Sequence, residues 1–232
     1  MPNVLVVGAT RGLGQQIAKQ YAQREFSVFG TARSTTKPKD GHHDIHWLTG
    51  VDVAEESAGP TIVTGLKGHK LDVVILAAGY FGKESFEEPD YAAEVKMYKI
   101  SAIGPVFIVS ALQKAGLLKK GSKVIIVSSE SGSITLRHES EGGGMFGHHA
   151  SKAASNMVGK LLSLDLKEHD VAVANVHPGF MRTEMTKGVG FDKFWDEGGA
   201  VTPDVAAKSL IEWVDEFDIS RTGEYWAPRG PG

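Results

Sequence analysis

The stretch Val4-Leu5-Val6-Val7-Gly8-Ala9-Thr10-Arg11-Gly12-Leu13-Gly14 decides the fold. Its apolar start, Val4–Val7, predicts a buried strand, and the residues that follow have the spacing G-x-x-x-G-x-G. Leu13, Ile17 and Tyr21 then recur at helical spacing and predict an amphipathic helix. A glycine-rich turn between strand and helix lets backbone N–H groups approach a pyrophosphate. The stretch therefore predicts an α/β fold with a dinucleotide site, the alternative being a tight turn that binds nothing.

The same alternation of strand and helix continues along the chain. A helix is predicted after Thr202-Pro203, with Ala206, Leu210, Trp213 and Phe217 on one face. Continuous apolar runs are typical of parallel strands covered on both faces, and five more follow the first: Ser27–Thr31, Ile45–Leu48, Val73–Leu76, Val124–Val127 and Val171–Val176. We find no repeat or linker, so residues 1–232 are predicted to form a single Rossmann-type domain, a doubly wound parallel sheet of about seven strands.

Composition narrows the classes of function. The 232 residues carry a net charge of −3 and no cysteine, which excludes thiolate chemistry and disulfides and argues against a nucleic-acid partner. With no basic leader and no uninterrupted apolar run of about 18 residues, we expect a cytoplasmic protein without a membrane partner. No metal is predicted, because His42, His43 and His46 lack acidic or sulfur partners at useful spacing.

Two arginines indicate which dinucleotide the turn would hold. The second predicted strand runs into Thr31-Ala32-Arg33, where an acid would favour a free ribose 2′-hydroxyl and an arginine a 2′-phosphate. Arg11 adds a second cation inside the turn. The pattern favours NADP(H) over NAD(H), with a solvated Arg33 as the alternative.

Further motifs follow the later strands, at the edge where a parallel sheet binds its ligand, and one, Ser151-Lys152, lies on the next helix. They are Asp52-Val53, Ala77-Ala78-Gly79, Ser128-Ser129, Ser151-Lys152 and Pro178-Gly179 with Thr183. Together with the glycine turn they resemble the short-chain dehydrogenase/reductase family over nearly the whole chain. The runs Ser129–Ile134 and Ser151–Ala154 are similar to its small single-domain carbonyl-reductase branch.

The resemblance implies roles for individual residues. Asp52 and Val53 would contact adenine, Gly79 would lie beside the cofactor, and Pro178, Gly179 and Thr183 would frame the nicotinamide. The full predicted cofactor set is Gly8, Thr10, Arg11, Gly12, Leu13, Gly14, Arg33, Asp52, Val53, Ala78, Gly79, Lys152, Pro178, Gly179 and Thr183.

The chain departs from the family pattern at three positions. The family's tyrosine, four residues before the active-site lysine, is replaced by His148, although His149 is an alternative alignment. Ala77 stands where the N-A-G signature has asparagine, and Ser101 stands at the helix asparagine that supports a proton relay. These departures put the usual relay in doubt.

Ser129, His148 and Lys152 are the predicted catalytic residues. His148 and Lys152 are i and i+4 on a helix and so share a face. Ser129 would donate a hydrogen bond to a developing alkoxide, although Ser128 and Ser131 compete for that role, and a His148 imidazolium would supply the proton. The neighbouring Lys152 ammonium lowers the pKa of His148, so the protonated His148 is expected mainly at mildly acidic pH. The alternative is a His148 that packs at the site without acid or base function.

The predicted function is NADPH-dependent reduction of a carbonyl or other polarised double bond on a small apolar molecule. Two alternatives stay open: a non-redox enzyme (isomerase, dehydratase or cyclase) with NADP(H) as a structural element, and a non-enzymatic cofactor sensor. Residues 180–200 are predicted to form a substrate lid, in which Gly188–Gly199 carries Phe191, Phe194 and Trp195; a packing helix is the alternative. Gly142–Gly144 suggests a mobile loop.

Family likeness also implies a homodimer or homotetramer built from the helices around Glu94–Leu112 and His149–Glu168. Apolar residues such as Met97, Ile100 and Leu161 could instead belong to the core.

Overall fold

Seven parallel strands form one sheet in the computed structural model, which describes residues 1–38 and 44–228 and the backbone of 230 and 231. A two-residue strand, Gly230–Pro231, adds an antiparallel edge. In chain order the strands are β1 (Asn3–Val7), β2 (Ser27–Ala32), β3 (Ile45–Thr49), β4 (Leu71–Leu76), β5 (Leu118–Val127), β6 (Ala172–Val176), β7 (Tyr225–Ala227) and β8 (Gly230–Pro231). Their order across the sheet, β3-β2-β1-β4-β5-β6-β7-β8, reverses direction at β1. A crevice for a ligand is expected at that point, beyond the carboxyl ends of the strands.

Helices cover both faces of the sheet and enclose two apolar layers. The helices are α1 (Gly12–Gln23), α2 (Ala58–Leu66), α3 (Tyr91–Tyr98), α4 (Gly104–Lys114), α5 (Phe146–Leu166), α6 (Glu184–Gly188) and α7 (Pro203–Glu216). One layer packs beneath α1 and α7, with Ile17, Tyr21 and Leu210 fully buried, and the other beneath α2, α4 and α5. The predicted doubly wound α/β fold is confirmed.

The six strands located from apolar runs are confirmed, five of them to within two residues. β5 starts at Leu118, six residues before the predicted start, because Lys119–Gly121 are exposed and interrupt the apolar pattern. β7 was not located, since three residues with a half-buried Tyr225 and Trp226 give too short a pattern. Of the three histidines considered for a metal, His42 and His43 lie outside the described residues.

A continuous helical segment runs from Tyr91 to Lys114 through α3, a π-helical stretch at Lys99–Ile103 and α4. By length and composition this segment is apolar enough to cross a membrane. The sequence did not indicate this, because polar residues interrupt the apolar ones. Half of its most apolar window is buried within the fold, which is also how a core helix behaves. The segment places Ser101 beneath the carboxyl edge of the sheet.

Candidate active site

One cleft of about 1040 Å³ lies at the carboxyl edge of the sheet, at the reversal of strand order. We call the part around Gly8–Gly14 the glycine end and the part around His148 the histidine end. Every residue predicted for cofactor binding or catalysis lines this cleft: Gly8, Thr10, Arg11, Gly12, Leu13, Gly14, Arg33, Asp52, Val53, Ala78, Gly79, Ser129, His148, Lys152, Pro178, Gly179 and Thr183. The fold thus collects residues that are up to 175 positions apart; their individual roles stay predictions.

The glycine end is built from backbone. Gly8 has φ +89°, and a Cβ there would lie 2.7 Å from the backbone N and Cα of Ala78. A Cβ on Gly14 would collide with the Gly8 carbonyl oxygen, so α1 begins in contact with the end of β1. The Gly8 N–H donates to Thr31 Oγ1 at 2.9 Å, which fixes the turn against β2. These contacts leave a cradle that no side chain fills, of the kind that accepts a pyrophosphate.

Cations border this end of the cleft. Arg11, Arg33 and Lys37 are exposed and line it, and within the described residues none of them forms an ion pair. Asp52 holds its own loop through Oδ1, which accepts from the Ala54 N–H at 3.0 Å. Guanidinium groups free to bind phosphate suit a 2′-phosphate.

The two serines that follow β5 have different partners. Ser128 also lines the cleft, but the residue is buried and its hydroxyl donates to Asn156 Oδ1 at 2.5 Å. Ser129 Oγ accepts from the Ser131 N–H at 3.2 Å and lies 2.7 Å from Ser131 Oγ. Ser129 is therefore better placed than Ser128 to meet a ligand oxygen, with Ser131 as its immediate neighbour.

His148 enters the cleft as a neutral aromatic wall. Its ring stacks on Phe81 with centroids 3.9 Å apart and an angle of 14° between the planes. Its Nδ1 is enclosed and has no hydrogen-bond partner among the described residues. Burial, then Lys152 and His149, lower the pKa of His148 to about 3. A lowered pKa was predicted, but burial, its largest cause, was not. His148 is therefore neutral at the mildly acidic pH where an imidazolium was predicted.

His149 points away from the cleft. Its Nδ1 lies 2.9 Å from the Met145 carbonyl oxygen and its Nε2 lies 3.1 Å from Arg137 Nη1. Arginine only donates, so Nε2 accepts and Nδ1 carries the proton. Arg137 also pairs with Glu141 at 2.8 Å within the loop before α5, and its contact with His149 connects that loop to the helix. Of the two histidines, His148 lines the cleft and His149 does not.

Lys152 is buried one turn after His148. Its Nζ donates to the Val127 carbonyl oxygen at 2.9 Å, and burial lowers its pKa to about 8. The ammonium form still predominates at neutral pH, and its other N–H groups remain available to ligands at the cleft wall.

Three residues that the sequence did not predict also line the cleft: His177, Phe81 and Arg137. His177 Nε2 lies 3.6 Å from Glu130 Oε2; burial lowers the pKa of His177, Glu130 opposes the shift, and Lys152 adds to it. The position of His177 directly before Pro178-Gly179 was the available signal. Phe81 and Arg137 gave none, because their role depends on contacts with residues more than ten positions away.

Ala77 and Ser101, which replace the two family asparagines, place no polar group in the cleft. Ala77 lines the cleft without a polar group. Ser101 is buried, its hydroxyl has no partner in the described chain, and it borders a separate small cavity instead of the main cleft.

The segment predicted as a lid contributes apolar walls. Phe180, Met185 and Phe191 line the cleft, and Phe191 meets Phe81 edge-on at 5.8 Å. Phe194 and Trp195 do not line it: Phe194 is half exposed, and Trp195 Nε1 donates to Thr186 Oγ1 at 3.3 Å. Of the three aromatic residues assigned to the lid, only Phe191 faces the site.

Comparisons with known proteins agree with this architecture. The family model described as short chain dehydrogenase matches residues 2–193. A 1-hydroxy-2-glutathionyl-2-methyl-3-butene dehydrogenase from a Rhodococcus strain is 32% identical over 237 residues, which cover 97% of this chain and 96% of that protein. An NADPH-bound carbonyl reductase from chicken fatty liver is 22% identical, with a TM-score of 0.83 over 100% of this chain and 98% of the other. A 3-oxoacyl-[acyl-carrier protein] reductase from Brucella melitensis in complex with NAD is 21% identical, with a TM-score of 0.83 over 98% and 95%.

Proposed function

The chain belongs to the short-chain dehydrogenase family, and from that premise we propose that it is an NADPH-dependent reductase of a carbonyl or other polarised double bond on a small apolar molecule. One observation carries the proposal. A single cleft joins a glycine cradle flanked by Arg11 and Arg33 to a polar cluster of Ser129, His148 and Lys152.

The choice of NADP(H) rests on charge. Arg11 and Arg33 have their guanidinium groups exposed at the end of the cleft where β1 and β2 terminate. An adenosine 2′-phosphate placed there would gain charge-assisted hydrogen bonds that NAD(H) cannot make. The structural neighbours include one with bound NADPH and one with NAD, so the arginines, not the fold, support NADPH.

The chemistry divides between the cofactor and the protein. Bound NADPH supplies a hydride to the substrate carbon. Ser129 Oγ donates a hydrogen bond where negative charge develops on the substrate oxygen. Lys152 is the protonated group near neutral pH, while His148, neutral, offers one ring N–H. The proton therefore comes from the lysine side of the cluster or from water, and not from an imidazolium.

The walls indicate the kind of substrate. Phe81, Phe180, Met185 and Phe191 surround the histidine end, so an apolar or aromatic carbonyl compound fits best. Residues 180–200 would close over it, with Phe191 in contact.

The test is NADPH oxidation with 4-nitrobenzaldehyde and isatin as probes, followed by absorbance. We expect turnover in the unmodified protein and a loss of about a hundredfold in Ser129→Ala, because an oxyanion donor is removed. Ser131→Ala is the matched control and should retain most activity. Turnover that is unaffected by Ser129→Ala would contradict the assignment.

The neutral His148 favours a second candidate, a non-redox enzyme that keeps NADP(H) as a structural element. This candidate predicts NADPH binding without oxidation by any probe. His148→Tyr distinguishes the two, because it restores the family's acid. Reduction gained only in that variant would support the non-redox function of the natural chain.

We further propose that two or more copies associate through the outer faces of the helices around Glu94–Leu112 and His149–Glu168, which contact each other. Exposed apolar side chains follow helical spacing there: Ile103, Val106, Phe107, Met157, Leu161 and Leu164. Light scattering on the purified protein should give a dimer or tetramer, and Leu161→Glu should give a monomer. A monomeric unmodified protein would contradict this proposal.

A further inference from the structure

Glu84 is a buried carboxylate that the catalytic cluster does not use. It lies in the loop after β4 and is 7% exposed. Its Oε1 accepts from the Gly147 N–H at 2.6 Å, across 63 positions, and its Oε2 accepts from the Asp90 N–H at 3.4 Å. A buried carboxylate is costly unless it is hydrogen-bonded, so these contacts need a structural or functional reason.

The start of α5 explains the contact. Met145, which precedes the helix, has φ +52° and its side chain caps nothing. The first N–H groups of a helix lack partners within it, and a local serine, threonine or aspartate usually accepts from the second or third. Here Glu84 accepts from the second, Gly147, and places a carboxylate at the positive end of the helix.

The loop that carries Glu84 also contacts His148, the residue after Gly147 in the first turn of α5. Phe81, three positions before Glu84, stacks on the His148 ring at 3.9 Å. The loop therefore contacts two adjacent residues in the first turn of α5. Glu84 accepts a hydrogen bond from Gly147, and Phe81 stacks on His148. Lys152, one turn further, is instead fixed by the Val127 carbonyl of β5.

Glu94 of α3 packs against the same turn. Its pKa is raised, chiefly by Glu84, and burial and Asp90 add to the rise. There is no room for a side chain at Gly147, because a Cβ would lie 2.9 Å from Glu94 Cγ and 3.0 Å from its Cα.

We propose that Glu84 is a positioning residue that fixes the first turn of α5 and so holds His148 against Phe81 at the wall of the cleft. Its relevance to turnover rests on the proposed reductase function, but the placement itself can be measured without turnover.

The direct test is NMR of the His148 ring protons, which a stacked Phe81 shifts upfield. Glu84→Gln keeps an acceptor at the same reach and should retain the shift. Glu84→Asp keeps the charge but is one methylene shorter, and should lose at least about half of the shift, because Gly147 is no longer reached. Glu87→Ala, an exposed glutamate in the same loop, is the control. An unchanged shift in folded Glu84→Asp, or an equal loss in Glu84→Gln, would overturn the proposal.

Two further readouts keep the test decisive. In the unmodified protein the Gly147 amide should exchange slowly with solvent, and fast exchange would overturn the proposal even if Glu84→Asp does not fold. With 4-nitrobenzaldehyde, Glu84→Asp should lower kcat about tenfold while the Kd for NADPH stays within about twofold, because a small misplacement near the reacting atoms affects the chemical step. If neither the unmodified protein nor any variant oxidises NADPH, the reductase proposal fails. The NMR measurement still tests the role of Glu84 in that case.

Discussion

At the glycine end of the cleft, backbone groups of one short segment, Gly8–Gly14, form the surface, whereas at the histidine end side chains from distant segments meet around His148. The first arrangement depends on the absence of side chains and is fixed by contacts with the neighbouring strands. The second depends on Phe81, Glu84 and Arg137, which reach α5 from two different loops. Local sequence therefore specifies one end, and tertiary contacts specify the other.

The largest effect is expected from Gly8→Ala. Its Cβ would lie 2.7 Å from the Ala78 backbone at a φ of +89°, so we expect a loss of about 3 kcal/mol or more in unfolding free energy and loss of NADPH binding. Gly68→Ala is the matched control, because Gly68 has φ +83° but open space around it, and should cost only about 1–2 kcal/mol. Urea denaturation measures both. Equal losses would mean that close packing at the turn is unimportant.

Arg33→Ala tests the charge at the glycine end. We expect the Kd for NADPH to rise about 10- to 100-fold and that for NADH to change less than about twofold, because only the 2′-phosphate contact is removed. Arg24→Ala, which breaks a surface pair with Asp215, is the control. Calorimetric titration gives both constants, and a parallel weakening of NADPH and NADH would refute the role of Arg33.

Arg137→Ala tests the loop at the histidine end. Without its bonds to Glu141 and His149 the loop loses its tie to α5, so the KM for 4-nitrobenzaldehyde should rise about three- to tenfold while NADPH affinity is unchanged. Arg221→Ala, which breaks a surface pair with Glu224, is the control for loss of an arginine. An unchanged KM would show that the loop is held by other contacts.

The smallest effect is expected from His148→Phe, read out as the pH dependence of stability. The pKa of His148 is about 3 in the folded protein and near 6.5 in the unfolded chain, so between these values the unfolded state binds more protons. Stability that is present above pH 6.5 is therefore lost as the pH falls towards 3. The variant should lose less Tm than the unmodified protein between pH 7 and pH 5, and equal losses would contradict a neutral, buried His148.

The sequence was sufficient for most of the fold, because the parallel strands are nearly continuous apolar runs and the helices have clear apolar faces. It failed at β7, where Tyr225 and Trp226 give too short a pattern, and at the polar first half of β5. Burial and strand pairing with β6 determine β7, and neither is visible in three residues.

The candidate site divides in the same way. Motif spacing located most of the residues that line the cleft at strand ends, His177 excepted, since parallel strands bring their carboxyl ends to one edge. It could not determine that His148 is neutral, because the lowered pKa depends on burial against Phe81. Nor could it find Glu84, since an acidic residue in a loop is ordinarily a solvated charge.

Binding of NADP(H) at the glycine end is tested by titrating the unmodified protein with NADPH and with NADH in a calorimeter. We expect one NADPH per chain, bound at least about tenfold more tightly than NADH because of the contribution of Arg11 and Arg33. Equal affinity, tighter binding of NADH, or no binding of either would contradict it.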